Sequence, residues 1–189
     1  MGRWEPDSKG RLQEAALALF AERGFDQTTA AEIAARAGVT ERTFFRHFAD
    51  KREVLFGGSA ILGERIVAGV AAAPGSSGPL QAVASGLDAA ALMVGAFRRD
   101  LSRQRHDVID ANPELRERER GKLAEYAAAV AEALRERGVG EPHATLAAEA
   151  GMTVLRVAIE RWLSEEDGRD LPTVMASSMD ELRALAASG

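Results

Sequence analysis

The 189-residue chain has no cysteine, which excludes disulfides, thiolate metal sites and cysteine nucleophiles together. Aromatic residues make up only 5% of it, and no stretch alternates β-branched with polar residues, so little in it would build a sheet. Its three histidines, His47, His106 and His143, are scattered without HExxH-like spacing, and no glycine-rich phosphate loop follows a strand pattern. Those absences leave no catalytic residue, metal site or cofactor to predict. Long apolar runs are missing too: the longest, Ala89 to Phe97, is well short of the ~20 residues of a membrane span. The opening MGRWEPDSKGR has no apolar core of signal-peptide length, so a soluble, cytoplasmic protein without membrane contact is expected. What remains is 46% hydrophobic content rich in alanine and leucine, the composition of an all-α protein.

A strong positive balance is absent as well, the net charge being −5. Residues 1–52 hold nine Lys or Arg against eight Asp or Glu, and residues 53–189 hold 15 against 21. No global field would draw in a polyanion, so nucleic-acid binding must rest on local cations such as Arg42, Arg46, Lys51 and Arg52.

Against this background residues 29–48, TAAEIAARAGVTERTFFRHF, stand out as two short helices joined by a turn. Thr29 and Glu32 form a capping box that satisfies the unpaired amides of a starting helix. Ile33, Ala34 and Ala37 fall on one apolar face, and the small alanines let a second helix cross closely. Gly38 ends the helix where a left-handed backbone is needed, Val39 returns to the core, and Thr40 caps the next helix. In that helix Phe44 and Phe48 face inward. Glu41, Arg42, Thr43, Phe45, Arg46 and His47 are left for a partner, which is the layout of a helix-turn-helix entering a major groove.

Residue chemistry then assigns contacts. Arg42 and Arg46 carry forks that fit guanine O6 and N7 or a phosphate. Thr43 is matched to a thymine methyl and Thr40 to a phosphate. Glu41 suits a helix start and can accept from cytosine N4, although it repels phosphate. His47 is placed at a phosphate, and Lys51 at a phosphate beside the next helix start.

The arrangement resembles the TetR family of bacterial transcriptional regulators over residues 8–56. Three blocks carry the likeness: Leu12 to Arg23 closed by Gly24-Phe25; Thr28-Thr29 through Ile33-Ala34 and Ala37-Gly38-Val39; and Thr43-Phe44-Phe45-Arg46-His47-Phe48 followed by Asp50-Lys51. Phe45 departs from the tyrosine more common in the family, which removes a hydroxyl contact to phosphate and leaves ring packing against the DNA backbone. The resemblance implies a homodimer that binds double-stranded DNA at a palindromic operator through Thr29, Thr40, Glu41, Arg42, Thr43, Phe45, Arg46, His47 and Lys51. It further implies release when a small-molecule effector enters the C-terminal domain, with repression as the default.

The expected architecture is a three-helix head, 1–52, whose linking helix begins before about residue 60, and a helical effector-binding and dimerisation bundle, 53–189, giving about nine helices. The linking helix, capped by Asp50, is predicted to run to about Ala73, where Pro74 to Pro79 breaks it. Gly57, Gly58 and Gly63 make it either a compliant lever or a close-packed, shorter segment. Further helices are predicted at Leu80–Leu101, Gln104–Ala111, Pro113–Arg137, Pro142–Leu163 and Pro172–Ala187. The effector pocket is expected among Leu92, Met93, Ala96, Phe97, Leu101, Val108, Leu123, Tyr126, Val130 and Trp162, residues that would serve equally as plain core. Arg98, Arg99, Arg103, Arg105 and His106 form either an anion-binding cluster or a solvated face balanced by Asp100, Asp107 and Asp110. Ala147, Ala150, Gly151, Val154 and Ala158, with Val174, Met175, Ser178, Leu182 and Leu185, form either a seam between two subunits or packing within one. The rival functions are a helical ligand-binding protein without DNA binding and an enzyme, and the intact recognition-helix arginines and the missing catalytic constellation weigh against them.

Overall fold

The computed structural model describes residues 8–165 and 168–188; the initial MGRWEPD, part of the segment read for a leader, lies outside them. The described residues form ten helices and no strand. They are α1 (Ser8–Arg23), α2 (Ala30–Arg36), α3 (Glu41–His47), α4 (Glu53–Phe56), α5 (Ser59–Ala72), α6 (Pro79–Gly95), α7 (Arg99–Ala111), α8 (Pro113–Glu136), α9 (His143–Ser164) and α10 (Leu171–Ala187). The all-α expectation holds. Two helices begin as the sequence chemistry dictates: Pro79 occupies the first turn of α6, and the Asp170 carboxylate accepts the Thr173 amide at 2.9 Å to start α10.

The chain folds into two compact units. Among the described residues the first comprises 8–58 and 100–118, the second 59–99, 119–165 and 168–188. The head predicted at 1–52 thus takes in α4 and most of α7 with the start of α8. The reason is apolar: Ile109 and Leu115 are fully buried in the same core as Leu12, Phe20, Ile33, Phe44, Phe48 and Phe56. Burying side chains of this size stabilises the unit by roughly 1.5–3 kcal/mol each. Charge reinforces it, since Arg52 pairs with both Asp50 and Glu114, and Arg118 with Glu53.

The predicted linking helix is two helices, broken at Gly57-Gly58. Gly57 is closely packed, because a Cβ there would stand 2.8 Å from the Phe48 ring. The close-packed, shorter-segment alternative therefore describes it. Residues 53–72 together are long and apolar enough to cross a membrane by length and composition, a property hidden from a count of uninterrupted apolar residues by Ser59, Glu64 and Arg65. Five of their side chains lie in protein cores, Val54, Leu55 and Phe56 in the first unit and Ile66 and Val70 in the second, whereas Ile61 is exposed.

In the second unit α6 is central, packed on α5, α9 and α10. It meets α5 backbone to backbone: a Cβ on Gly86 would lie 2.5 Å from the Ile66 carbonyl oxygen, and one on Gly69 would lie 2.7 Å from Gly86 Cα. The helix predicted to continue to Leu101 stops at Gly95, a poor helix former, and α7 begins only at Arg99.

The stripe of small residues on α9 is internal. Ala147, Gly151, Val154 and Ala158 are buried within the subunit, as are Val174, Met175 and Ser178 of α10. A Cβ on Gly151 would come within 2.4 Å of Val83 on α6. These side chains are taken up by packing within the subunit, the alternative their composition equally allowed. Of that set, Ala150 and Leu182 are half-buried and Leu185 is 73% exposed.

Candidate nucleic-acid interface

Helix α2 starts with the complete capping box. The Thr29 hydroxyl accepts the Glu32 amide at 3.2 Å while Glu32 Oε2 accepts the Thr29 amide at 2.9 Å. These bonds from Thr29 hold the Glu32 carboxyl below its ordinary range. The helix ends in a Schellman motif: the Val39 amide donates to Ala34 O at 3.0 Å and the Gly38 amide to Ala35 O at 3.1 Å, with Gly38 at φ +69°. Only glycine takes that conformation cheaply, so the turn is fixed by its sequence.

Thr40 then caps α3, its hydroxyl accepting the Thr43 amide at 3.2 Å. Phe44 and Phe48, their ring centroids 5.7 Å apart, anchor α3 in the core. Glu41, Arg42, Phe45 and Arg46 are left exposed. Phe45 is 51% exposed and stands edge-on to Phe44, at 5.3 Å between centroids and 83° between planes. No ion pair or hydrogen bond engages Arg42 among the described residues, whereas Arg46 Nη2 lies 3.4 Å from His47 Nε2.

Several predicted contacts have other work. The Thr29 hydroxyl accepts the Glu32 amide and donates to Glu32 Oε2, the Thr40 hydroxyl accepts the Thr43 amide, and the Thr43 and Thr40 hydroxyls lie 3.0 Å apart, with Thr43 half-buried. His47 is half-buried against Ser8, with Nε2 and Oγ 2.8 Å apart, a pairing across 39 residues that no local motif announces. Lys51 requires correction. Its ammonium donates to the carbonyls of Phe25 (2.8 Å), Asp26 (3.2 Å) and Thr28 (3.1 Å) and sits 4.4 Å from the centre of the Phe25 ring. An ammonium has three donors, and all are used. Lys51 ties down the loop between α1 and α2 and has none left for a phosphate.

Other head cations are also committed internally. Arg36 makes a two-point contact with Glu22, at 2.6 and 3.1 Å, and Arg23 meets Glu32 at 2.9 Å. Exposed pairs of this kind add little stability, but they mask positive charge on the head.

The predicted effector-lining residues fall in both units. Leu92 and Phe97 are 67% and 60% exposed, Ala96 is exposed and Met93 half-buried. Tyr126, Val130 and Trp162 are core residues of the second unit, and the Tyr126 hydroxyl donates to Ser59 O at 2.7 Å. Arg103 and His106 belong to the first unit, as do Leu101 and Val108, which pack on its core. The basic run from Arg98 to His106 is divided in the same way. Arg99 stacks over Trp162 at 5.6 Å and donates to the Glu165 carbonyl in the second unit, while Arg105 covers Phe56 at 5.4 Å and donates to Leu55 O at 2.7 Å in the first. The second unit has a groove of about 210 Å³ between α6 and α10, whose lining includes Gln81, Leu87, Asp88, Met175, Met179 and Arg183. Burial there raises the Asp88 carboxyl above its ordinary value, with Arg183 partly opposing.

Comparison with known proteins supplies the context. The family model for bacterial regulatory proteins of the tetR family matches residues 12–56, and the model for the MftR C-terminal domain matches residues 77–187. The chain is 36% identical over 127 residues to the HTH-type transcriptional regulator TcmR of Streptomyces glaucescens. That match covers 63% of this chain and 52% of TcmR, so the chain spans about half the length of this curated relative. Among solved structures it is similar to SmeT in complex with triclosan, with a TM-score of 0.66 and 18% identity over 94% of this chain and 90% of the other. SmeT is the repressor of a Stenotrophomonas maltophilia multidrug efflux pump. It is also similar to FadR of Bacillus subtilis in complex with stearoyl-CoA, with a TM-score of 0.63 and 20% identity over 92% and 96% of the two chains. At such identities the two structures establish a shared fold.

Proposed function

The chain belongs to the tetR family of bacterial regulatory proteins, and from that premise we propose that it is a cytoplasmic, ligand-responsive transcriptional regulator, a repressor released from a palindromic operator by a small molecule. The observation that carries this reading is the capped helix-turn-helix whose second helix is pinned by Phe44 and Phe48 while Arg42, Phe45 and Arg46 stay exposed. A helix so fixed has few internal degrees of freedom left to order on DNA, so its side chains meet the groove preorganised.

A palindrome requires two heads about one helical turn of DNA, roughly 34 Å, apart, hence a homodimer. We take the second copy to be met by exposed surface of the C-terminal unit, to which Leu185 and the half-buried Ala150 and Leu182 belong. Solved relatives hold triclosan and stearoyl-CoA. We take the effector here to be a small molecule bound by the second unit. Release then follows from a population shift: the effector must bind more tightly to the conformation whose heads are misplaced, because equal affinity for both states would release nothing.

The test is anisotropy or gel shift of the purified protein on palindromic fragments from upstream of its own and neighbouring genes, at several salt concentrations. Specific binding that weakens as salt rises supports the regulator. Failure to bind any of these duplexes at low salt rules it out.

A further inference from the structure

We propose that Phe45 reads the C5-methyl group of a thymine in each operator half-site, with Glu41 directed to a cytosine about two base pairs away. This rests on the DNA-binding reading and specifies what the surface recognises. The exposed side of α3 consists of two stripes. Glu41 and Phe45, four residues apart, share one, and Arg42 and Arg46 share the next. The arginine stripe is the part suited to phosphates and guanine edges. The other stripe has nothing to offer a phosphate: Glu41 is repelled by it, and Phe45, lacking the hydroxyl of tyrosine, can donate no hydrogen bond. A carboxylate and an apolar ring on one stripe are suited to base edges, where cytosine N4 is a donor and the thymine methyl is the apolar mark of sequence.

Of the two apolar candidates for that methyl, Thr43 is half-buried, whereas the Phe45 ring is exposed and braced edge-on by the fully buried Phe44, so the ring is the more available surface. Four residues of helix advance about 6 Å, close to two base-pair steps of about 3.4 Å. Glu41 and Phe45 are therefore spaced for bases about two positions apart.

The experiment uses the full-length protein on a duplex that it binds specifically. Each thymine of the half-site is replaced in turn by deoxyuridine, which deletes the methyl and leaves every hydrogen-bonding group in place. For the wild type, one position per half-site is expected to weaken binding about fourfold, the value of one buried methyl group. Phe45→Ala should lose that sensitivity, so that thymine and uridine duplexes bind alike. Phe45→Leu, still apolar, should retain part of it. Thermal unfolding of both variants establishes that the head is folded, and the exposed ring makes a large loss of stability unexpected. If no thymine is sensitive, or if Phe45→Ala remains as sensitive as the wild type, the assignment falls while the regulator reading stands. A wild type that binds no duplex overturns both.

Discussion

Replacing Lys51 with methionine separates a structural cation from a DNA-contacting one. The substitution keeps a flexible apolar stem and removes three charge-assisted hydrogen bonds, to the carbonyls of Phe25, Asp26 and Thr28, together with the contact to the Phe25 ring. A fully protected bond of this type contributes roughly 1.5–3 kcal/mol, but Lys51 is half-buried and water will resolvate part of the freed carbonyls. About 2–3 kcal/mol for the whole set is the reasonable magnitude. For a chain of this size, at about 2–4 °C per kcal/mol, that lowers the melting temperature by roughly 5–10 °C. Circular-dichroism melting measures the loss. The decisive companion measurement is the slope of log affinity against log salt on the operator, which falls by about 0.9 for every phosphate contact removed. We expect Lys51→Met to bind more weakly with an unchanged slope, because the loop that sets the start of α2 is loosened and no phosphate contact is lost. An unchanged melting temperature with a slope lower by about one per protomer would refute the reasoning and restore Lys51 to the DNA surface.

Three other outcomes are expected. Arg42→Ala and Arg46→Ala should each weaken operator binding by about 1–3 kcal/mol wherever the side chain reads a base, measured by anisotropy; unchanged affinity in both would remove α3 as the reading helix. Gly151→Ala should destabilise the protein by about 1–3 kcal/mol through collision with Val83, with partial rescue by Val83→Ala and an unchanged dimer dissociation constant in sedimentation, since the stripe is internal. The Asp88 carboxyl is raised by burial, so its ionisation opposes folding: its relative contribution is full below the unfolded value near 4 and is lost as pH rises through the folded one. Asp88→Asn should therefore melt above the wild type at pH 7, and the gap should close as pH falls toward 4.

The head was legible in the sequence because its signals are local. Thr29, Glu32, Gly38 and Thr40 each act within a few residues, and the structure realises every one of those caps and turns. What was hidden depends on partners far along the chain. Nothing near Lys51 shows that its donors face carbonyls 23 to 26 residues away, and a cation beside a recognition helix is the ordinary form of a phosphate contact. The recruitment of Ile109 and Leu115 into the head's core is likewise a tertiary fact. In the C-terminal unit composition was degenerate: glycine and alanine along α9 suit a close crossing whether the opposing helix belongs to the same subunit or to another, and only coordinates show that Gly151 packs on Val83 of its own chain. The effector surface was the least readable, because leucine, methionine and tryptophan at helical spacing describe core and cavity equally.

The internal pairing of the head's cations bears on how such a protein finds its target. With Lys51, Arg23, Arg36 and Arg52 all bound to groups of their own chain, few charges remain to hold it on arbitrary chromosome, so residence at wrong sequences should be brief and travel should proceed by short hops instead of long one-dimensional slides.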